Sequence, residues 1–114
     1  MTLNISHRGI ELTPAITAHV QEKMTSLQKY EERIQHLDAE VGKTTNHHQK
    51  GEIFFCKVVI EIAGDVIKIE KQEEDLYKAI DKVRDHLRTQ LADRKERLRE
   101  RAQSPAPEPE PELL

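Results

Sequence analysis

The sequence predicts an α+β sandwich: a four-stranded sheet with two helices on one face, in the order β-α-β-β-β-α. Three observations lead there. Four stretches carry apolar residues at the period of a strand, and two longer stretches repeat them at the three- and four-residue spacing of a helix. Three of the strands follow one another between the helices, the pattern of hairpin-connected strands with segregated helices. At 114 residues, 36% hydrophobic and 34% charged, the chain has material for one small core and a soluble surface.

The start, Leu3-Asn4-Ile5-Ser6-His7, alternates apolar and polar, as a half-buried strand does. Thr13-Pro14 is a helix start, with Thr13 as N-cap and Pro14 at the first helical position. Ile16, Val20, Met24, Leu27 and Ile34 follow at helical spacing, so this helix is expected to run to about Arg33. Leu37, Ala39 and Val41 alternate as a second strand. Gly42 to Gly51, GKTTNHHQKG, is polar and glycine-bounded and reads as a loop. Phe54, Cys56, Val58, Ile60 and Ile62 give the strongest strand signal. Ala63-Gly64-Asp65 is a turn, with Gly64-Asp65 suited to a tight hairpin. Val66, Ile67 and Ile69 form the return strand. Asp75 caps the last helix, whose buried face is Leu76, Ile80, Val83, Leu87, Leu91 and Leu98. Continuous to Arg101, that helix is roughly 40 Å long at about 1.5 Å per residue. Short strands do not cover that length, so ADRKERLRER is expected to project.

Residues 1–101 thus read as one domain. Residues 102–114 include QSPAPEPEPELL, which alternates Pro with Glu, cannot build a core and reads as an extended, disordered tail. No apolar run reaches membrane-spanning length, and MTLNISHRGI has no signal-peptide core. The single Cys56 forbids an internal disulfide and suits a reducing compartment. These features point to a cytoplasmic protein without a membrane partner.

Few residues offer catalytic or metal chemistry. His47-His48 sits in the polar loop, without the helical or strand spacing that aims two rings at one ion. Cys56 lies in a period-two apolar series and reads as a small core hydrophobe. Glu73-Glu74-Asp75 precede a helix, where acidic groups complement its positive end. No phosphate-cradling glycine loop is present. The expectation is no enzyme, no catalytic residue, no metal, no cofactor and no small-molecule substrate. A metal- or thiol-dependent enzyme built on His47, His48 or Cys56 is the weakest rival.

The last helix says more. From Asp75 to Arg101 it holds nine Lys or Arg against six Asp or Glu, while the chain as a whole carries −3. Glu108, Glu110 and Glu112 in the tail offset that excess. On a helical projection Arg84, Arg88, Lys95 and Arg99 fall on one flank of the apolar stripe. Such a flank attracts phosphate backbones through counterion release and direct Arg contacts. The first helix adds Lys23, Lys29 and Arg33, with Arg8 nearby in sequence. Taken by composition alone, charge runs are more often merely solvated faces.

Asp75-Leu76-Tyr77-Lys78-Ala79-Ile80-Asp81 resembles the DMYAAID-type motif of the ribosome hibernation promoting factor family, also called ribosome-associated inhibitor A or sigma-54 modulation protein. Leu3-Asn4-Ile5-Ser6 and Glu11-Leu12-Thr13-Pro14-Ala15-Ile16 are similar to its first strand and helix entry. Lys23, Leu27, Lys29-Tyr30, Leu87, Gln90-Leu91, Lys95, Arg97 and Arg99 agree in register. The resemblance covers about residues 1–101. It implies a fold like a double-stranded-RNA-binding domain. It also implies docking on the 30S ribosomal subunit, against 16S rRNA, in the channel used by mRNA and tRNA, with translation blocked under stress by occupancy rather than by chemistry. Contact residues implied are Arg8, Lys23, Lys29, Lys82, Arg84, Arg88, Lys95, Arg97 and Arg99. The size matches a short form, and the acidic tail is similar to the inhibitor A subtype, which favours idle single ribosomes.

The chain departs from that pattern at Ser26, His86, Thr89 and Asp93, where family members usually carry Lys or Arg. The cationic stripe has either moved or been partly lost, and lost phosphate contacts weaken affinity and flatten its salt dependence. Tyr77 either supports the helix-sheet junction or stacks on a nucleotide. The main rival is a protein-interaction module, with the projecting helix end and the acidic tail binding a transcription or ribosomal protein. An uncovered strand edge would also allow a weak homodimer.

Overall fold

The computed structural model describes residues 1–44 and 51–103. The elements are β1 (Thr2–Arg8), α1 (Pro14–Thr25), β2 (Ile34–Lys43), β3 (Phe54–Ile62), β4 (Asp65–Glu73) and α2 (Leu76–Gln103), with a 3₁₀ turn at Ser26–Lys29 after α1. The sheet order is β1-β2-β3-β4, so β1 and β4 are its edges. β1 pairs parallel with β2, and the other neighbours are antiparallel. A parallel pair needs a crossover, and α1 supplies it.

Period-two patterning places one row after another on the helix side. Ile5, Ala39, Val58 and Ile69 stand side by side across the four strands, and Leu3, Leu37, Ile60 and Ile67 form the next row. A one-residue slip would turn every one of these side chains to the opposite face. Val20, Met24 and Leu27 press on this layer from the first helical segment, and Leu76, Ala79, Ile80, Val83, Leu87 and Leu91 from α2. Cys56 belongs to the same layer and is fully buried. Burial, with the Glu70 charge adding, pushes its thiol up to about 12, so it stays protonated and inert as a nucleophile at neutral pH.

Both helix starts form as expected. Thr13 Oγ1 accepts from the Ile16 N–H at 3.2 Å, with Pro14 in the first turn. Asp75 Oδ1 accepts from the Tyr77 N–H at 2.8 Å, and the Asp75 carbonyl accepts from the Ala79 N–H at 3.1 Å. Each cap satisfies one donor that the helix leaves without a partner.

Three local expectations are corrected. The first helix does not reach Arg33. It tightens into the 3₁₀ turn, and the Tyr30 and Glu31 N–H groups both close on the Leu27 carbonyl. Glu31 is buried, and its carboxylate accepts from the Arg33 backbone N–H and from Arg33 Nε, each at 3.0 Å. That bend ends the helix, so Ile34, although at helical spacing, enters the core from β2 instead. Gly42 is also not a loop residue. It lies in β2 between Arg8 and Phe55, where a Cβ would strike the Arg8 carbonyl and come within 2.9 Å of the Phe55 ring. Finally, the hairpin turns on Ala63 and Gly64, both at positive φ (45° and 81°), as a type I′ turn requires, rather than on Gly64-Asp65. His47, His48 and residues 104–114 lie outside the described residues.

α2 has 28 residues, about 42 Å of helix. Full burial of its apolar stripe ends at Leu91; beyond it Leu98 is half-buried and Arg94 mostly buried. Among the described residues no helix is long and apolar enough to cross a membrane.

Candidate nucleic-acid interface

α2 has two flanks, one on each side of its buried stripe. At about 100° per residue, Tyr77, Asp81, Arg84, Arg88, Lys95 and Arg99 share one flank, and Lys82, His86, Gln90, Asp93 and Arg97 the other. Contacts show what each flank faces. His19 of α1 reaches Asp81 with 2.8 Å between Nε2 and Oδ1, and its ring meets Tyr77 edge-on at 4.9 Å. Lys23 Nζ lies 3.9 Å from the same Asp81 carboxylate. The Arg88 flank therefore looks toward α1. On the other side Lys82 pairs with Glu73 of β4, so that flank looks toward the sheet edge. Tyr77 thus supports the contact between the two helices, and its ring remains partly exposed.

The α1 side gathers most of the candidate cations. Lys29, Tyr30, Lys95 and Arg99 line a shallow recess of about 230 Å³ between the 3₁₀ turn and α2, with Ala92 and Glu96 completing it. Arg88 is exposed two turns before Lys95. Arg84 is half-buried and donates to Asp85 at 2.8 Å, while Arg99 lies 3.7 Å from Glu96. Exposed pairs of this kind are worth at most about 1 kcal/mol, so a phosphate displaces them readily. Among the described residues Lys29, Arg88, Lys95 and Arg97 enter no ion pair.

Three candidates stand elsewhere. Lys82 and Arg97 lie on the β4 flank. Arg8 is on the far face of the sheet, where its guanidinium covers the Phe55 ring at 4.9 Å and lies 3.9 Å from Glu40. The cationic ground is therefore the helix-helix side of the molecule. Of the departures, Ser26 donates to the Lys23 carbonyl at 2.6 Å, while His86, Thr89 and Asp93 are exposed away from the Arg88 flank.

Two features had no reading in the sequence. Arg94 falls on the apolar stripe, seven residues after Leu87, and is mostly buried, with Nη1 3.9 Å from Glu31 and Nε 3.7 Å from Asp65. It ties the far end of α2 to the bend before β2 and to the β3-β4 hairpin. The hydrogen bond from the Arg33 side chain holds the Glu31 carboxyl below its ordinary range, against the opposing effect of burial. The stripe position of Arg94 was visible in the helical spacing; its burial partners, distant in sequence, were not.

Comparison with known proteins agrees with this architecture. Residues 3–99 match the family model described as sigma 54 modulation protein / S30EA ribosomal protein. A "ribosome hibernation promotion factor" of Deinococcus radiodurans is 32% identical over 97 residues, covering 82% of this chain and 48% of that protein. A "ribosome hibernation promoting factor" of Azotobacter vinelandii is 30% identical over 101 residues, covering 89% of each. The chain therefore spans about half the length of the Deinococcus relative and most of the Azotobacter one. The crystal structure of the Thermus thermophilus Protein Y N-terminal domain superposes with a TM-score of 0.65 at 26% identity, over 82% of this chain and 98% of that one. With its β-α-β-β-β-α order, four-stranded mixed sheet and matched length, this chain belongs to the sigma 54 modulation protein / S30EA ribosomal protein family.

Proposed function

We propose that this chain is a cytoplasmic, ribosome-associated hibernation factor. It docks on the small subunit with its α1–α2 side against 16S rRNA, in the channel used by mRNA and tRNA. Occupancy of that channel blocks translation; no bond is made or broken. The observation that carries this reading is the convergence of Lys29, Lys95 and Arg99 on one recess, with Arg88 on the same flank. Cations from two separate elements form a track for a phosphate backbone, and phosphate contacts position such a protein without reading sequence. The names of the relatives, which concern hibernation of ribosomes, support the same partner.

Sucrose-gradient sedimentation with purified ribosomes tests it. The protein is expected to travel with 30S and 70S particles at low salt and to leave them steeply as salt rises. The combined change Arg88→Ala, Lys95→Ala, Arg99→Ala is expected to weaken co-migration strongly and to remove it at physiological salt. Free migration of the wild type at low salt would instead favour a protein partner for the projecting end of α2.

A further inference from the structure

The β4 flank of α2 holds a second recess, of about 310 Å³, lined by Asp65, Ile67, Gln90, Asp93, Arg94 and Arg97. Its composition differs from that of the cationic track. Carboxylates and guanidiniums face one space in equal number, with an amide and an apolar floor. Asp93 and Arg97 stand four apart on one helix, a spacing that ordinarily closes an ion pair. Here they do not pair with each other, and among the described residues neither has an ion-pair or hydrogen-bond partner. Arg94 is held in place by burial between Glu31 and Asp65. The recess thus offers a free acceptor fork, a free donor fork and one pre-positioned guanidinium at its wall.

A bare phosphate is a poor match, because two carboxylates would repel it. A planar ligand that donates along one edge and accepts along the next fits better. Guanine alone among the bases presents two adjacent donors, N1–H and N2–H, which a carboxylate accepts as a pair, beside the O6 and N7 acceptors that Arg takes bidentately. Ile67, half-buried, gives its ring an apolar floor. We propose that this recess binds an unstacked guanine base, with Asp93 accepting from N1–H and N2–H and Arg97 donating to O6 and N7. The base arrives either in a single-stranded segment of RNA or as a free guanine nucleotide. Only the first source rests on the function proposed above; the recognition chemistry is the same for both.

The test uses the full chain and labelled single-stranded RNA decamers that differ at one central position: guanine, inosine or adenine. Fluorescence anisotropy is expected to show the guanine decamer binding about tenfold more tightly than the inosine one, which lacks the N2 donors. Asp93→Asn, at an exposed site, is expected to erase that preference without weakening binding of the adenine decamer. Arg97→Ala is expected to lower the guanine preference in the same way. GMP titrated alone, followed by NMR, separates the sources. Shifts confined to amides around Asp65, Ile67 and Asp93, with no decamer binding, would support the recess with a free nucleotide and count against the RNA reading. Equal affinity for all three decamers, with no response to GMP, would overturn the guanine site and leave RNA docking standing. Failure of both decamers and GMP to bind would overturn the site as well.

Discussion

The two halves of α2 obey different rules within one continuous helix. From Leu76 to Leu91 the apolar positions are sealed against the sheet, and Ile80, Val83, Leu87 and Leu91 expose nothing. From Ala92 to Arg101 the same periodicity continues with Arg94 and Leu98 in the stripe positions, and the exposed residues are mostly charged. The first half is a core element, and its residues are chosen by packing. The second half is held at one point by Arg94 and presents its cations to solvent. Stability and binding should therefore separate along the helix, and four experiments can break or sharpen that separation.

The largest effect is expected at the centre of the sealed half. Leu87→Ala should cost about 2–5 kcal/mol by denaturant unfolding, because it empties a site with no exposed surface. A loss below about 1 kcal/mol would mean that the first half is not the anchor.

Next is the tether of the second half. Glu31→Gln removes a buried carboxylate that bonds Arg33 and faces Arg94, and should cost about 1–3 kcal/mol near neutral pH. The sign with pH follows from the direction of its shift. Its carboxyl is held below the ordinary value of 4.5 in the folded state, so the unfolded chain takes up the proton first. That stabilisation is full above about 4.5 and is lost as pH falls toward the folded value. Acid unfolding of the Gln variant should be flatter over this window; an unchanged acid limb would show that the Arg33 contact contributes nothing.

A third test reads the sealed layer from the alkaline side. Cys56 rises from 9.0 to about 12 on burial, so the folded protein keeps a proton that the unfolded chain releases. Its contribution is complete below about 9 and declines as pH rises toward 12, by at most about 1.4 kcal/mol per pH unit. Cys56→Ala should remove that slope, measured by urea unfolding at pH 8 to 10.

The smallest stability effect is expected among the exposed cations, Arg88 in the first half and Lys95 and Arg99 in the second. Arg88→Ala, Lys95→Ala and Arg99→Ala together should change unfolding free energy by less than about 1 kcal/mol, since the groups are exposed. A larger loss would mean that the cationic flank also carries the fold.

Much of this division was legible in the sequence. The alternation in Phe54–Ile62, the Thr13-Pro14 start and the Asp75 cap each rest on local chemistry, and each formed as expected. The end of α1 was not legible, because Ile34 keeps helical spacing while the bend is made by a buried Glu31–Arg33 pair. Gly42 looked like a loop boundary because its requirement is a close approach of β1 and Phe55, which no local pattern reveals. The candidate site was legible by type but not by place. Helical projection grouped Arg84, Arg88, Lys95 and Arg99, and tertiary packing then set Lys29 beside Lys95 and Arg99 while leaving Arg8 on the far face.

The most direct test of the central claim is the salt dependence of binding to isolated small ribosomal subunits, for the wild type and the Arg88, Lys95, Arg99 triple variant. If these three groups meet phosphates, log K against log salt is steep for the wild type, and the variant's slope is shallower by about 2 to 3. Equal slopes for the two proteins would contradict the claim that this cationic track is what grips the RNA.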